Sequence, residues 1–275
     1  MYSIIGLGNC GCEIAKKFEY FPQYTVKYMD AEERVGANFF RIPFEDHPEK
    51  YEKNCPDFSS FLQDVEDDVC LILGGSGHVS AVVLRLLETI KDRNISLLYI
   101  RPDVQLLTGI KRLQERVTFN VLQEYARSGL FKNIILVHNN FVSDIIGDVP
   151  IKKYFDSINE MISSSVNMIN VLENSKAIVE TFSDVSEISR IATIGIVNIE
   201  TGEEKLFFPL ESIRDKKYYY AISEKDLETK GSLFRDITEQ VKITSGDIKS
   251  GFGIFSTSYE QNYCYTLNYS SIIQN

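Results

Sequence analysis

Apolar and polar positions follow two different patterns along the chain, and the change falls near residue 190. Before it, short apolar runs alternate with stretches whose apolar residues recur three and four apart, the periods of buried strands and amphipathic helices. Residues 3–7 read as a strand, and Ile14, Phe18 and Phe21 follow at helical spacing. Residues 24–29 read as a second strand. Residues 68–73 are apolar without alternation, as in a strand covered on both faces. Val79, Val82, Val83, Leu86 and Ile90 mark a helix, and residues 95–100 a strand. Ile110, Leu113, Val117, Val121 and Tyr125 form the apolar face of a further helix, with Gly129 as its C-cap. Residues 134–137 are another buried strand. Repeated strand–helix units imply a parallel, doubly wound sheet.

The alternation then stops. Asp148 and Pro150 make a helix start, with proline near the first turn. Ile151, Tyr154, Phe155, Ile158, Ile162, Val166, Ile169 and Leu172 continue at helical spacing, predicting one helix of about 23 residues, roughly 35 Å long. Past residue 190, strands are expected at 191–199, 205–210, 218–222, 253–258 and 263–269. Thr201-Gly202 and Gln261-Asn262 supply turn signals, and one helix, about 227–241, interrupts the strands. The expected fold is α/β: a doubly wound parallel sheet over residues 1–149, a long central helix over 150–174, and a smaller α+β domain over 175–275.

Composition narrows the function. A net charge of −10 argues against a general nucleic-acid binder, since little would neutralise a duplex, but it leaves single nucleotides open because backbone N–H groups can hold phosphates. The five cysteines (Cys10, Cys12, Cys55, Cys70 and Cys264) are odd in number and contain no CxxC pair, so a zinc site is not expected and reduced thiols in a cytoplasmic setting fit best. No apolar run approaches about 18 residues, so membrane insertion is not expected, and the first residues lack a signal pattern.

Two glycine loops carry the candidate chemistry. Gly6-Leu7-Gly8-Asn9-Cys10-Gly11 follows the first strand and opens a helix, where a tight turn brings backbone amides close to a phosphate. Asp30 ends the second strand about 20 residues on, which by itself reads as a dinucleotide fingerprint and an NAD-dependent oxidoreductase. The second loop, Gly74-Gly75-Ser76-Gly77, again follows a buried strand and opens a helix. A dehydrogenase needs one such loop; two suit a longer phosphate chain approached from two helix N-termini. The plain alternative is an ordinary strand-to-helix turn.

At this point the residues resemble a family. Gly8-Asn9-Cys10-Gly11 with the helix to Phe18 is similar to the first nucleotide loop of tubulins, and residues 73–81 resemble the glycine-rich signature shared by tubulin and FtsZ. Met29-Asp30-Ala31-Glu32, Arg101-Pro102, Gly109-Ile110-Lys111-Arg112, His138-Asn139-Asn140, Phe155 with Asn159, and Phe182-Ser183-Asp184-Val185 resemble further family segments in the same order, over about residues 1–190. The sequence departs from the family pattern at Val79, where a glycine is usual, and at Thr181, where an acid is usual.

The resemblance implies a divergent GTPase that binds GTP or GDP with Mg²⁺ and self-associates head to tail into cytoskeletal filaments, with adaptor proteins left unidentified. It assigns Gly8, Asn9, Cys10 and Gly11 to one end of the phosphates and Gly74, Gly75, Ser76 and Gly77 to the other. Asp30 and Arg112 would face the nucleotide, Asn139 would contact base or sugar, and Phe155 and Asn159, four apart on one helical face, would clamp guanine. Glu180 and Asp184 would enter the neighbouring subunit's pocket and complete hydrolysis. Alternatives are a relative that keeps fold and nucleotide but neither hydrolyses nor polymerises, and the oxidoreductase above. Each candidate also has a structural reading: Phe155 as core, Arg112 as a solvated helix residue, Glu180 and Asp184 as acids at a helix N-terminus.

Overall fold

The structure is a computed structural model and describes residues 2–34 and 36–275. It contains two compact units. The first runs to Ser163 and takes back Ile273–Asn275; the second is Ser164–Ile272.

In the first unit, strands β1 (Tyr2–Leu7), β2 (Tyr24–Asp30), β3 (Phe39–Arg41), β4 (Asp68–Gly74), β5 (Asn94–Arg101) and β6 (Asn133–His138) form a parallel sheet in the order β3-β2-β1-β4-β5-β6. The helices are α1 (Gly8–Lys16), α2 (Pro48–Lys53), α3 (Ser59–Leu62), α4 (Val83–Thr89), α5 (Gly109–Arg127) and α6 (Asn139–Ile146). A longer helix, α7 (Tyr154–Glu173), begins in this unit and ends in the second. Ile4, Ile5, Leu7, Leu71, Ile72, Leu73, Leu97 and Leu98 are fully buried, which is why these strands show no alternation. The strand order reverses between β1 and β4, which pair in register with Leu7 opposite Leu73. The loops that leave these two strands therefore lie side by side.

Two glycines fix the first of those loops. Gly8 opens α1 at φ +70°, a left-handed conformation that glycine adopts without steric cost. Gly11 lets α1 lie directly on β4: a Cβ there would stand 2.2 Å from the Ile72 carbonyl oxygen.

Three helices that begin in this unit differ from the sequence expectation. The turn after residue 77 starts as a 3-10 helix (His78–Val82) before α4, and α7 likewise follows a 3-10 turn (Ile151–Lys153). The larger correction is α5. Its apolar stripe faces outward, with Ile110, Leu113 and Val117 exposed by 47%, 62% and 54%, while Gln114, Glu115 and Gln123 are buried. Each of these side chains has a hydrogen-bond partner: Gln114 Nε2 donates to the Gly77 carbonyl at 2.7 Å, and Arg101 Nε donates to Glu115 at 3.1 Å. Gln123 accepts from the Gln274 amide at 2.7 Å and donates to the Gln274 carbonyl at 3.1 Å. Directional bonds to neighbouring chain thus override helical amphipathicity, and Phe119, Leu122 and Ala126 supply the apolar contacts on the buried side. The outward stripe lines an open groove of about 450 Å³ together with Pro48, Val83 and Leu84.

The second unit holds β7 (Val179–Glu180), β8 (Ile191–Val197), β9 (Glu204–Leu206), β10 (Ile213–Ser223), β11 (Lys249–Thr257) and β12 (Tyr263–Ser270), in the order β8-β12-β10-β11-β7 with β9 on β8. All these pairings are antiparallel except β10–β11. Gln261-Asn262 lies between β11 and β12, but both strands flank β10 instead of pairing with each other. The expected helix over 227–241 is two, α8 (Glu224–Thr229) and α9 (Leu233–Ser245), separated at Gly231. Tyr218, Tyr219 and Tyr220 are all buried in β10, and each hydroxyl finds a partner: Thr244 and Ser245, Glu173, and Gln240 respectively.

Because backbone cannot retreat from a side chain inserted at Gly11, Gly11→Ala is expected to destabilise the protein by about 3 kcal/mol, the upper end for overpacking. Urea denaturation followed by circular dichroism checks it; an unchanged midpoint would contradict the close packing described here.

Candidate functional site

Parallel pairing of β1 with β4 delivers the two glycine loops to the same edge of the sheet, at the switch point where α/β proteins open a ligand crevice. The loops touch: a Cβ on Gly74 would lie 3.0 Å from the Cys10 Cβ. Around them is a cleft of about 470 Å³, lined by Gly8, Asn9 and Cys10 from the first loop, all of Gly74, Gly75, Ser76 and Gly77 from the second, and Asn139, Phe155 and Asn159 from further along the chain. It falls in the usual size range of small-molecule sites.

The donors are main-chain. α1 starts after extended Leu7 with no side-chain cap, and the turn at 78 starts after extended Gly77, also uncapped. Uncapped helix starts leave amides free for an anion. Behind the second loop, Gly75 N donates to the Ile100 carbonyl at 3.0 Å and Ser80 Oγ donates to the Gly74 carbonyl at 2.7 Å. Also in the lining, Phe155 is 67% exposed, so its ring is open to a flat partner. Lys17 holds the start of α7 by ion pairs to Asp156 at 2.6 Å and Glu160 at 3.1 Å, which fixes the face that carries Phe155 and Asn159. Asn139 is the first residue of α6, whose N-terminus is capped by His138 Nδ1 accepting from Asn140 N. Burial and the nearby Glu13 push the Cys10 thiol up to about 12, so the Cys10 side chain is uncharged at neutral pH.

Five residues named from the sequence are not in the lining. Gly11 is spent on packing against Ile72. Asp30 is 3% exposed; its Oδ1 accepts from the Ala31 amide at 2.8 Å and its Oδ2 lies 3.5 Å from Arg34 Nη2. Arg34 in turn donates to Glu13 at 2.7 Å and Asn9 at 2.8 Å, so this arginine links Asp30 to the first loop. An acid so enclosed is poorly placed to take the ribose hydroxyls that the dinucleotide reading requires. Arg112 lines a different cleft, with Arg101, Arg116 and Asn275. Glu180 and Asp184 belong to the second unit, both exposed; Glu180 ends β7 and Asp184 follows it outside any helix, with its carbonyl accepting from Lys249 Nζ. Thr181 between them is tied to β11, its amide donating to the Phe252 carbonyl at 2.8 Å.

Sequence reasoning missed Lys111 and Arg34. Lys111 is the one cation and Glu13 the one anion among the described lining residues. One step along a helix turns a side chain by about 100°, which separates Lys111 from Arg112. Among the described residues no group of three or more His, Cys, Asp or Glu is placed to hold a metal ion, and no helix is long and apolar enough to cross a membrane.

No protein-family model matches the sequence, and no curated protein matches it either. Solved structures do. An FtsZ dimer of M. jannaschii superposes with a TM-score of 0.71 at 13% identity, over 98% of this chain and 88% of that one. A GTPγS-form protofilament of TubZ from Bacillus thuringiensis serovar israelensis gives a TM-score of 0.70 at 16% identity, over 99% and 87%. CetZ2 from Haloferax volcanii, as a GTPγS-bound protofilament, gives 0.68 at 14% identity, over 98% and 92%. At such identities the likeness establishes the fold, and on that ground this chain has a tubulin/FtsZ-like fold.

Proposed function

We propose that this protein binds GTP and GDP in the cleft between its two glycine loops, and assembles head to tail into filaments. The observation that carries the reading is one cleft lined both by two uncapped loops from one sheet edge and by an exposed aromatic ring with an amide four residues on. The loops suit a chain of phosphates and the ring a purine base. The loop amides and Lys111 would hold the phosphates, Phe155 would stack on the base, and the Asn159 and Asn139 amides would read its edge or the sugar. Mg²⁺ would ride mainly on phosphate oxygens and water, as it commonly does when carboxylate ligands are few. The TubZ and CetZ2 relatives by fold were solved as GTPγS-form protofilaments, and TubZ also as helical filaments, which supports extending both properties to this chain. A head-to-tail contact is heterologous and does not close, so it propagates.

Hydrolysis would need a water-orienting acid from the next subunit, and Asp184 and Glu180 are our candidates. One observation favours a second reading, in which the protein binds nucleotide but turns it over slowly or not at all. Thr181 stands between these acids where an acid is usual; its hydroxyl supplies no carboxylate and accepts from the Phe252 amide of β11.

Three outcomes are expected. Sedimentation at tens of micromolar protein should give a pellet with GTP and much less with GDP; no GTP-dependent pellet would remove the filament proposal. Phe155→Ala should weaken guanine-nucleotide binding by about 1–2 kcal/mol, the size of one lost base–aromatic stack, as measured by calorimetry. Asp184→Ala should lower phosphate release at least tenfold while leaving nucleotide affinity intact; equal release by Asp184→Ala, Glu180→Ala and the parent would favour the non-hydrolysing reading.

A further inference from the structure

Amide and carboxyl side chains of an amphipathic helix belong on its wet face. α5 reverses this at Gln114 and Glu115, and both meet the second glycine loop from behind. Glu115 Cγ and the Tyr99 hydroxyl back onto Gly75, where a Cβ would lie 3.2 Å and 2.1 Å from them. Gln114 Nε2 donates to the Gly77 carbonyl at 2.7 Å, and that same oxygen accepts from the Ser80 amide at 3.0 Å.

Holding this carbonyl has a consequence for its peptide. No peptide bond among the described residues is cis, and in a planar trans peptide the C=O and N–H point to opposite sides. With the Gly77 oxygen drawn to Gln114, the N–H of His78 is turned away from α5. The Ser76 and Gly77 amides have no protein acceptor among the described residues. A flip of the Gly77–His78 peptide would replace an anion-attracting N–H with an anion-repelling oxygen. Gln114 opposes that flip. Its other end, Oε1, is buried without a hydrogen-bond partner. A buried amide with one end unpaired costs stability, so an apolar side chain would serve better if filling space were all the position required.

We propose that Gln114 is a positioning residue for phosphate binding: its amide fixes the Gly77–His78 peptide so that the loop offers N–H groups to a triphosphate. This rests on the nucleotide reading of the cleft. The variants are Gln114→Met, which keeps the volume and removes the donor, and Gln114→Glu, which sets a carboxylate against the Gly77 carbonyl. Binding of GTP and of guanosine, which lacks phosphates, is measured by calorimetry for each full-length variant and the parent. The expected result is guanosine affinity within twofold of the parent in both, GTP affinity about five- to tenfold weaker in Gln114→Met, the worth of one net hydrogen bond or slightly more, and weaker still in Gln114→Glu. Leu113→Ser, on the exposed stripe of the same helix, should leave the GTP-to-guanosine ratio unchanged. Parent-like GTP affinity in both Gln114 variants, or an equal loss for GTP and guanosine, overturns the positioning role while the nucleotide reading stands. A parent protein that binds neither ligand overturns both.

Discussion

The parallel pairing of β1 with β4 is the constraint on which the candidate site depends. Because Leu7 lies opposite Leu73, each strand ends at the same height and releases a glycine loop at the same sheet edge. Successive side chains in a strand point to opposite faces, so a slip of one residue would turn buried Ile4 and Ile72 toward the wrong sides and misalign the loops. The close contacts reinforce the register. Gly11 rests on the Ile72 carbonyl, and Gly74 rests on Cys10. Neither loop could move far without lifting α1 off the sheet.

α5 shows what supporting such a loop requires. A helix oriented by its apolar stripe would have buried Ile110, Leu113 and Val117 and left Gln114 in water. This one leaves the stripe in an open groove and turns Gln114, Glu115 and Gln123 inward. Each of these three side chains meets a directional partner, a loop carbonyl, an arginine or a segment of main chain, while Gln114 Oε1 has none among the described residues. An unpaired buried polar group costs about 1–3 kcal/mol, so the arrangement is tolerable only because those partners are in place. The helix gives up part of its apolar burial and supplies the loops with a polar rear wall.

The two units contribute different chemistry. The first carries every described residue that lines the cleft, main-chain donors, one lysine, a ring and three side-chain amides among them. The second carries the exposed acids Glu180 and Asp184. An enzyme complete in one subunit would ordinarily gather its acid and its phosphate-binding loops around one cavity. Here the lining contains neither of these acids, an arrangement compatible with the proposed completion of the site by a neighbour.

Much of the architecture was legible from residue patterns. Unbroken apolar runs such as residues 68–73 identified strands buried on both faces, and the glycines before α1 and after β4 marked the loops, because only certain residues tolerate a left-handed turn or a close backbone approach. The spacing of Phe155 and Asn159 placed them on one helical face, and the structure brings both into the cleft. Spacing alone could not orient α5, since periodicity records which residues are apolar and not which polar ones will find partners across the fold. It likewise could not separate Lys111 from Arg112, or foresee that Arg34 would stand between Asp30 and the first loop. Local sequence set the strands, the turns and the chemistry on offer. Only the packed chain decided which of those groups face one another, because hydrogen bonds between residues far apart in sequence have no signature in any single segment.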